Sequence, residues 1–331
     1  MRTDERDQEG LSRRELITGA AAAAVGGLTA GAAGTVQAAQ PPAPAGNPRY
    51  RAMAAEMVQM RGHEGTMIDA YLARPTAPGT YPGVVVIHHM PGWDDGTMEI
   101  TRKFAHNGYV AICPNLHFRE GKATAAANSA SVREAGGMPD DRTMGDVDGA
   151  MRALRALPSL NGKVGIIGYC SGGRQVYLAA CTLKGVNAAV DCYGGGVGAG
   201  KEGLTARQPV DPLDLTKDLS CPLLGLFGKE DKRPSPEHVA RTEEELKKFG
   251  KTYEFHSFDG AGHGFFTVDN PSYRQAAAVE VLFREMRRPS SSNETRRRLT
   301  MPTSVMTRGF SRRATRLWGT LVSVIAQTGQ A

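Results

Sequence analysis

Val164-Gly165-Ile166-Ile167-Gly168-Tyr169-Cys170-Ser171-Gly172-Gly173-Arg174 is the stretch from which this chain is read. Its first residues are apolar and rich in β-branched side chains, the composition of a buried strand. Through Val176, Leu178 and Ala179 the pattern becomes helical. Between the two stands Gly168-Tyr169-Cys170-Ser171-Gly172, with glycine two before and two after the cysteine. That spacing suits a tight strand-to-helix turn, where the central residue takes a strained backbone and neighbouring side chains would collide. It is the G-x-S-x-G layout of a nucleophile elbow with sulfur in place of oxygen. A helix starting behind Cys170 aims its N-terminal N–H groups and positive dipole end at the sulfur, favouring thiolate and oxyanion. Ser171 is the rival nucleophile, but Tyr169 stands two residues before it, so it lacks the glycine frame. The bland alternative is a glycine-rich turn holding a buried structural cysteine.

Outward from this stretch the pattern alternates. Strands are predicted over residues 56–60, 68–73, 83–88, 109–114, 186–193, 223–227 and 252–258, and helices over 98–105, 144–157, 237–249 and 272–286. A turn over residues 62–65 joins the first two strands, and a polar, alanine-rich connection runs from Asn115 to Pro139. Residues 83–88 are apolar almost throughout, as in a parallel strand covered on both faces. Such alternation implies an α/β domain with a doubly wound, mostly parallel sheet and helices on both faces.

The two ends read differently. Ser12-Arg13-Arg14-Glu15-Leu16-Ile17 is a twin-arginine pattern, followed by a weakly apolar alanine- and glycine-rich run over residues 19–33. Val36-Gln37-Ala38 then offers small residues for signal peptidase, so residues 1–38 are expected to be a signal for export to the periplasm or outside. The low hydrophobicity of Ala and Gly argues against a stable transmembrane anchor. Residues 39–55, with four prolines, read as a linker, and the domain is expected over 56–288. Residues 289–331 form an arginine-rich tail expected to be disordered. This tail carries much of the formal charge of +6 in a chain of 331 residues, yet no base-reading motif accompanies it, so no nucleic acid is expected. A short amphipathic segment over residues 317–325 is its only candidate for contact with a membrane or partner. The five cysteines show neither a C-x-x-C pair nor zinc spacing, and most sit in apolar patterns, so the default is reduced, buried thiols.

A cysteine at an elbow needs a base and a residue that orients the base. Nucleophile, acid, histidine is the chain order of elbow hydrolases. Asp231 follows the strand predicted over 223–227, and His263 follows the strand ending at Phe258. Both therefore fall on the rim outside strand C-termini, where open α/β sheets gather their ligands. Singly, such an Asp or His is usually a cap or turn residue. Three positions in this order, all after strands, favour a triad of Cys170, Asp231 and His263.

The run from Asn161 to Gly173 resembles the elbow of the dienelactone hydrolase (carboxymethylenebutenolidase) family. Pro114-Asn115-Leu116, Tyr193-Gly194-Gly195, Asp231 and His263 resemble further motifs in family order. The resemblance extends from Glu56 to Met286. It implies an α/β-hydrolase fold, the Cys170–Asp231–His263 triad, and hydrolysis of enol-lactones without a metal or organic cofactor. The oxyanion hole is expected from the backbone N–H of Ser171 and, by matching the family loop, that of Met90. Four positions bear on specificity. His89 stands where the family's characteristic enzymes carry a Glu that interacts with the thiol. Of two arginines that hold a substrate carboxylate in that subgroup, one matches Arg119 and the other falls on Thr267. Trp93 is a candidate for lining the pocket. Imidazole can take a proton as carboxylate does, but starts neutral or cationic, and one guanidinium fork instead of two should weaken the preference for a carboxylated lactone.

The resulting expectation is an exported, monomeric or weakly dimeric cysteine hydrolase of small lactones or esters. A broad carboxylesterase or thioesterase with the same triad is the nearest alternative. A thiol redox sensor is an alternative from another class, although a sensor needs neither Asp231 nor His263. A membrane- or partner-binding protein rests only on the basic tail.

Overall fold

The computed structural model describes residues 52–121, 124–267 and 271–274. Within them lie eight strands: β1 Met53–Arg61, β2 Met67–Pro75, β3 Tyr81–Ile87, β4 Val110–Pro114, β5 Leu160–Tyr169, β6 Ala188–Cys192, β7 Leu223–Gly228 and β8 Tyr253–Phe258. The described α-helices are α1 Asp95–His106, α2 Ala125–Glu134, α3 Asp140–Arg155, α4 Ser171–Thr182 and α5 Pro236–Lys248. The strands form one sheet in the order β1-β2-β4-β3-β5-β6-β7-β8. β1 and β2 pair antiparallel, as do β2 and β4, and every pairing from β4 through β3 to β8 is parallel. This is the α/β-hydrolase architecture, doubly wound around a mostly parallel sheet.

Side-chain alternation along the strands feeds a core on each face. Val85 and Ile87 of β3 point with Ile112 and Ile166 into a cluster completed by Val147, Met151 and Leu154 of α3, Val176 and Tyr177 of α4, and Leu246 of α5. Val84 and Val86 point the other way with Ile167, Val190 and Leu226, against Phe104 of α1 and Phe265 from the loop after β8. Burial on both faces explains why β3 lacks a polar side. The two faces meet at the strand C-termini, where the loops after β3, β5, β7 and β8 converge.

Helix boundaries follow their caps. α1 starts three residues before the predicted 98 because Asp94 caps it: its Oδ1 accepts the Thr97 N–H at 2.8 Å. α5 begins at Ser235-Pro236, where Ser235 and His238 form a reciprocal box. α3 starts at Asp140 after Pro139, with two aspartates in its first turn that complement the helix dipole. α2 lies in the polar, alanine-rich connection from Asn115 to Pro139, for which the sequence predicted no helix. Thr124 caps it, but Asn128 and Ser129 are buried beside Val132, so no apolar stripe advertised it. The predicted signal, nearly all of the linker and the basic tail lie outside the described residues. Of the helix predicted over 272–286, only Ser272, Tyr273 and Arg274 are described, and they form a turn and irregular backbone. No helix among the described residues is long and apolar enough to cross a membrane.

Candidate active site

β5 ends at Tyr169 and α4 begins at Ser171, so Cys170 alone makes the turn, at φ 57° and ψ −120°. A non-glycine residue held there costs about 1–3 kcal/mol and persists only where its surroundings impose it. The surroundings here are backbone packed against backbone. A Cβ on Gly172 would stand 2.5 Å from the Ile87 carbonyl oxygen and 2.7 Å from that of His88. A Cβ on Gly168 would strike the Gly172 carbonyl, and one on Gly173 the Asp191 carboxylate. The glycine frame is thus a steric requirement for folding helix α4 back against β3 and β5.

Cys170, Asp231 and His263 meet at the sheet's C-terminal rim. Asp231, buried after β7, receives the His263 Nδ1–H on Oδ2 at 2.8 Å and the Arg233 N–H on Oδ1 at 2.8 Å. With Nδ1 committed to Asp231, Nε2 is the ring nitrogen left for the hydrogen bond to the Cys170 sulfur. The backbone N–H groups of Ser171 and Met90 also point at that sulfur. Burial opposes charge on both partners, but their hydrogen bonds outweigh it. The Cys170 thiol is lowered from its ordinary value, with His263 as the main cause and the two N–H groups behind it. His263 is raised to about 10 by Asp231 first and Cys170 second. Both shifts favour the thiolate–imidazolium form of the pair. The other four cysteines are buried, and burial pushes their thiols up, to about 12 for Cys181 and Cys221.

Tyr193, which the residue pattern marked only as part of a motif, packs its ring edge-on to His263 at 5.2 Å. It adopts φ 44°, so the loop after β6 is bent sharply beneath the histidine. The sequence signal was the Gly194-Gly195 pair following it.

Three of the specificity positions, His89, Arg119 and Trp93, find partners within the chain. His89 turns its Nε2 to Asp94 Oδ2, 2.6 Å away, while Asp94 Oδ1 caps α1. Burial works to raise Asp94, yet the His89 and Thr97 contacts hold it well below the usual carboxylate range. Arg119 is engaged within the chain. Its guanidinium grips the fully buried Asp146 of α3 through Nη1 at 2.7 Å and Nη2 at 3.1 Å, and Nη2 also reaches the His63 carbonyl at 3.4 Å. The fork expected to hold a substrate carboxylate is closed on a structural carboxylate. Asp146 also accepts the His63 N–H at 2.8 Å, so the cluster ties α3 to the turn between β1 and β2. Trp93 donates its indole N–H to the Cys113 carbonyl at 3.1 Å and packs, as Cys170 does, against the core that contains Phe104 and Phe265.

Comparison with known proteins follows the same lines. Residues 68–287 match the model of the dienelactone hydrolase family. A protein of Methylorubrum extorquens named "Putative carboxymethylenebutenolidase" is 31% identical over 217 residues, covering 65% of this chain and 73% of the relative. A Bradyrhizobium protein named "Probable 2-oxo-3-(5-oxofuran-2-ylidene)propanoate lactonase" is 30% identical over 232 residues, covering 68% of this chain and 92% of the relative. The crystal structure titled "Putative Dienelactone Hydrolase" from Klebsiella pneumoniae aligns with a TM-score of 0.62 at 28% identity, over 69% of this chain and 95% of that one. The chain accordingly belongs to the dienelactone hydrolase family, an α/β-hydrolase acting on ester or lactone bonds.

Proposed function

We propose that the protein hydrolyses small lactones or esters through a cysteine nucleophile and a thioester acyl-enzyme. One observation carries this function above the others: the strained Cys170 shares hydrogen bonds with His263 and with two converging backbone N–H groups. The Cys170 thiolate attacks the carbonyl carbon, forming a C–S bond and moving an electron pair onto the carbonyl oxygen. The Ser171 and Met90 N–H groups are arranged to receive that oxyanion, where such donors act on charge present only in the transition state. The His263 imidazolium protonates the departing alkoxide or enolate oxygen as its bond to carbon breaks. A water molecule, giving its proton to His263, then cleaves the thioester. Asp231 holds the ring orientation throughout. With a lactone the leaving oxygen stays tethered, and the ring-opened acid is the single product.

Thr267 is uncharged and Arg119 is engaged by Asp146, so the substrate need not carry a carboxylate. Hydrolysis of a panel of enol-lactones, neutral aryl esters and thioesters by purified protein tests the substrate class. Lactones turned over well below the other two would favour the broad esterase or thioesterase. Cys170→Ala should abolish turnover while the fold is kept. Cys170→Ser should leave a small activity that depends wholly on His263, because a hydroxyl needs a stronger base than a thiol. Full activity in Cys170→Ala would overturn the cysteine mechanism. Export through the twin-arginine pattern is part of the same proposal, and Arg13→Lys with Arg14→Lys should retain the protein in the cytoplasm.

A further inference from the structure

His88 closes the end of β3 and is almost fully buried. Its Nε2 receives the Leu116 backbone N–H at 3.2 Å. A backbone N–H can only donate, so Nε2 carries a lone pair and the ring proton sits on Nδ1. Nδ1 lies 2.9 Å from the His89 carbonyl oxygen, to which it therefore donates. Burial, with the neighbouring His117 ring, pushes His88 down to about 3, in keeping with a neutral ring. His117 also stands edge-on to it at 4.7 Å and 90°.

The His89 carbonyl belongs to the same planar peptide group as the Met90 N–H. That N–H points at the Cys170 sulfur. Across a trans peptide, C=O and N–H point in opposite directions, so anchoring one end aims the other. Two donors anchor the oxygen: His88 Nδ1–H and the Gly92 N–H at 3.0 Å. We propose that His88 is a positioning residue of the oxyanion hole: its imidazole, braced by Leu116, holds the His89–Met90 peptide so that the Met90 N–H faces the developing oxyanion. A hydrogen bond on the carbonyl also polarises the peptide and strengthens its N–H as a donor. The role rests on the cysteine mechanism above, since it needs an oxyanion formed next to Cys170.

The test compares His88→Phe, which keeps a ring without a donor, with His88→Asn, whose amide N–H reaches about where Nδ1 stands. Activity on a neutral aryl ester is measured together with inhibition by a trifluoromethyl ketone, whose thiol adduct carries an oxyanion. His88→Phe should lower kcat about 10- to 100-fold, less than outright loss of an oxyanion donor, with KM within about twofold. Its affinity for the trifluoromethyl ketone should fall by the same factor, and His88→Asn should recover most of both. A folded His88→Phe with kcat and ketone affinity unchanged would overturn the proposal. If that variant does not fold, nitrogen NMR of the wild-type His88 ring decides: a proton on Nδ1 supports the arrangement, and a proton on Nε2 overturns it. Activity surviving in Cys170→Ala would instead overturn the mechanism beneath, so the two failures are separable.

Discussion

The His89 ring and the Asp94 carboxylate are hydrogen-bonded, with Nε2 and Oδ2 2.6 Å apart, on the loop that supplies the Met90 N–H to Cys170. In the family pattern this histidine stands in the position of a thiol-contacting Glu. Here the ring is drawn toward the start of α1, and Asp94 serves it with one oxygen and the helix with the other.

Restoring the family residue should therefore damage the loop before it retunes the thiol. His89→Glu sets two carboxylates side by side and should cost about 2 kcal/mol. Adding Asp94→Asn removes the repulsion and keeps an oxygen for the Thr97 cap. Thermal melting should show a clear drop for His89→Glu and recovery in the double variant. Equal melting temperatures for wild type and His89→Glu would mean that the pair contributes nothing in solution.

The Cys170–His263 pair sets a pH window. The thiol is lowered and the imidazole is raised to about 10, and both shifts favour the thiolate–imidazolium form. Inactivation by iodoacetamide should already be fast at neutral pH, where an ordinary thiol is mostly protonated. His263→Ala should restore an ordinary thiol profile and slow neutral-pH alkylation about tenfold or more. Turnover should decline on the acid side as the thiolate gains a proton, and near pH 10 as the imidazolium loses its own. These limbs belong to the coupled pair rather than to either residue. Asp231→Asn should move the alkaline limb downward, since the hydrogen bond to Asp231 is the main influence raising His263.

Arg119 should behave as a structural residue. Arg119→Gln leaves the Asp146 carboxylate buried with the His63 N–H as its remaining described partner, at a cost of about 3 kcal/mol. The melting temperature should fall, while the ratio of kcat/KM between carboxylated and neutral esters stays constant. A selective loss on carboxylated esters would return Arg119 to the substrate site.

Asp191 offers a stability test with the opposite sign from a paired carboxylate. It is fully buried at the end of β6, its Oδ1 accepts the Gly194 N–H at 2.7 Å, and burial raises it to about 7. The folded chain then holds this proton above the point where the unfolded chain has lost it. Its contribution to stability falls as pH rises from the ordinary carboxylate value of 3.8 to about 7. Asp191→Asn, which keeps an oxygen for Gly194, should raise the melting temperature relative to wild type more at pH 8 than at pH 5. A difference independent of pH would show that Asp191 does not titrate in that range.

The elements around Cys170 were legible because chemistry and chain geometry coincide there. Glycines at 168, 172 and 173 are required by backbone contacts, and the apolar runs of β3, β4 and β5 are required by burial on both faces. Strand ends at Phe227 and Phe258 put Asp231 and His263 on one rim, so local pattern and order along the chain sufficed to bring three distant residues into one hypothesis. Helix α2 was missed because its inward face includes Asn128 and Ser129, whose burial depends on neighbours far along the sequence. The roles of single polar groups depended on tertiary structure for the same reason. Whether Arg119 faces a substrate or Asp146, whether His89 faces a thiol or Asp94, and which nitrogen of His88 holds the proton are decided by partners 27, 5 and 28 positions away in the chain. A hydrophobic period records which face of an element is buried. A hydrogen bond is directional and short-ranged, so the partner of a buried polar group is settled only when the folded chain brings a donor and an acceptor into line.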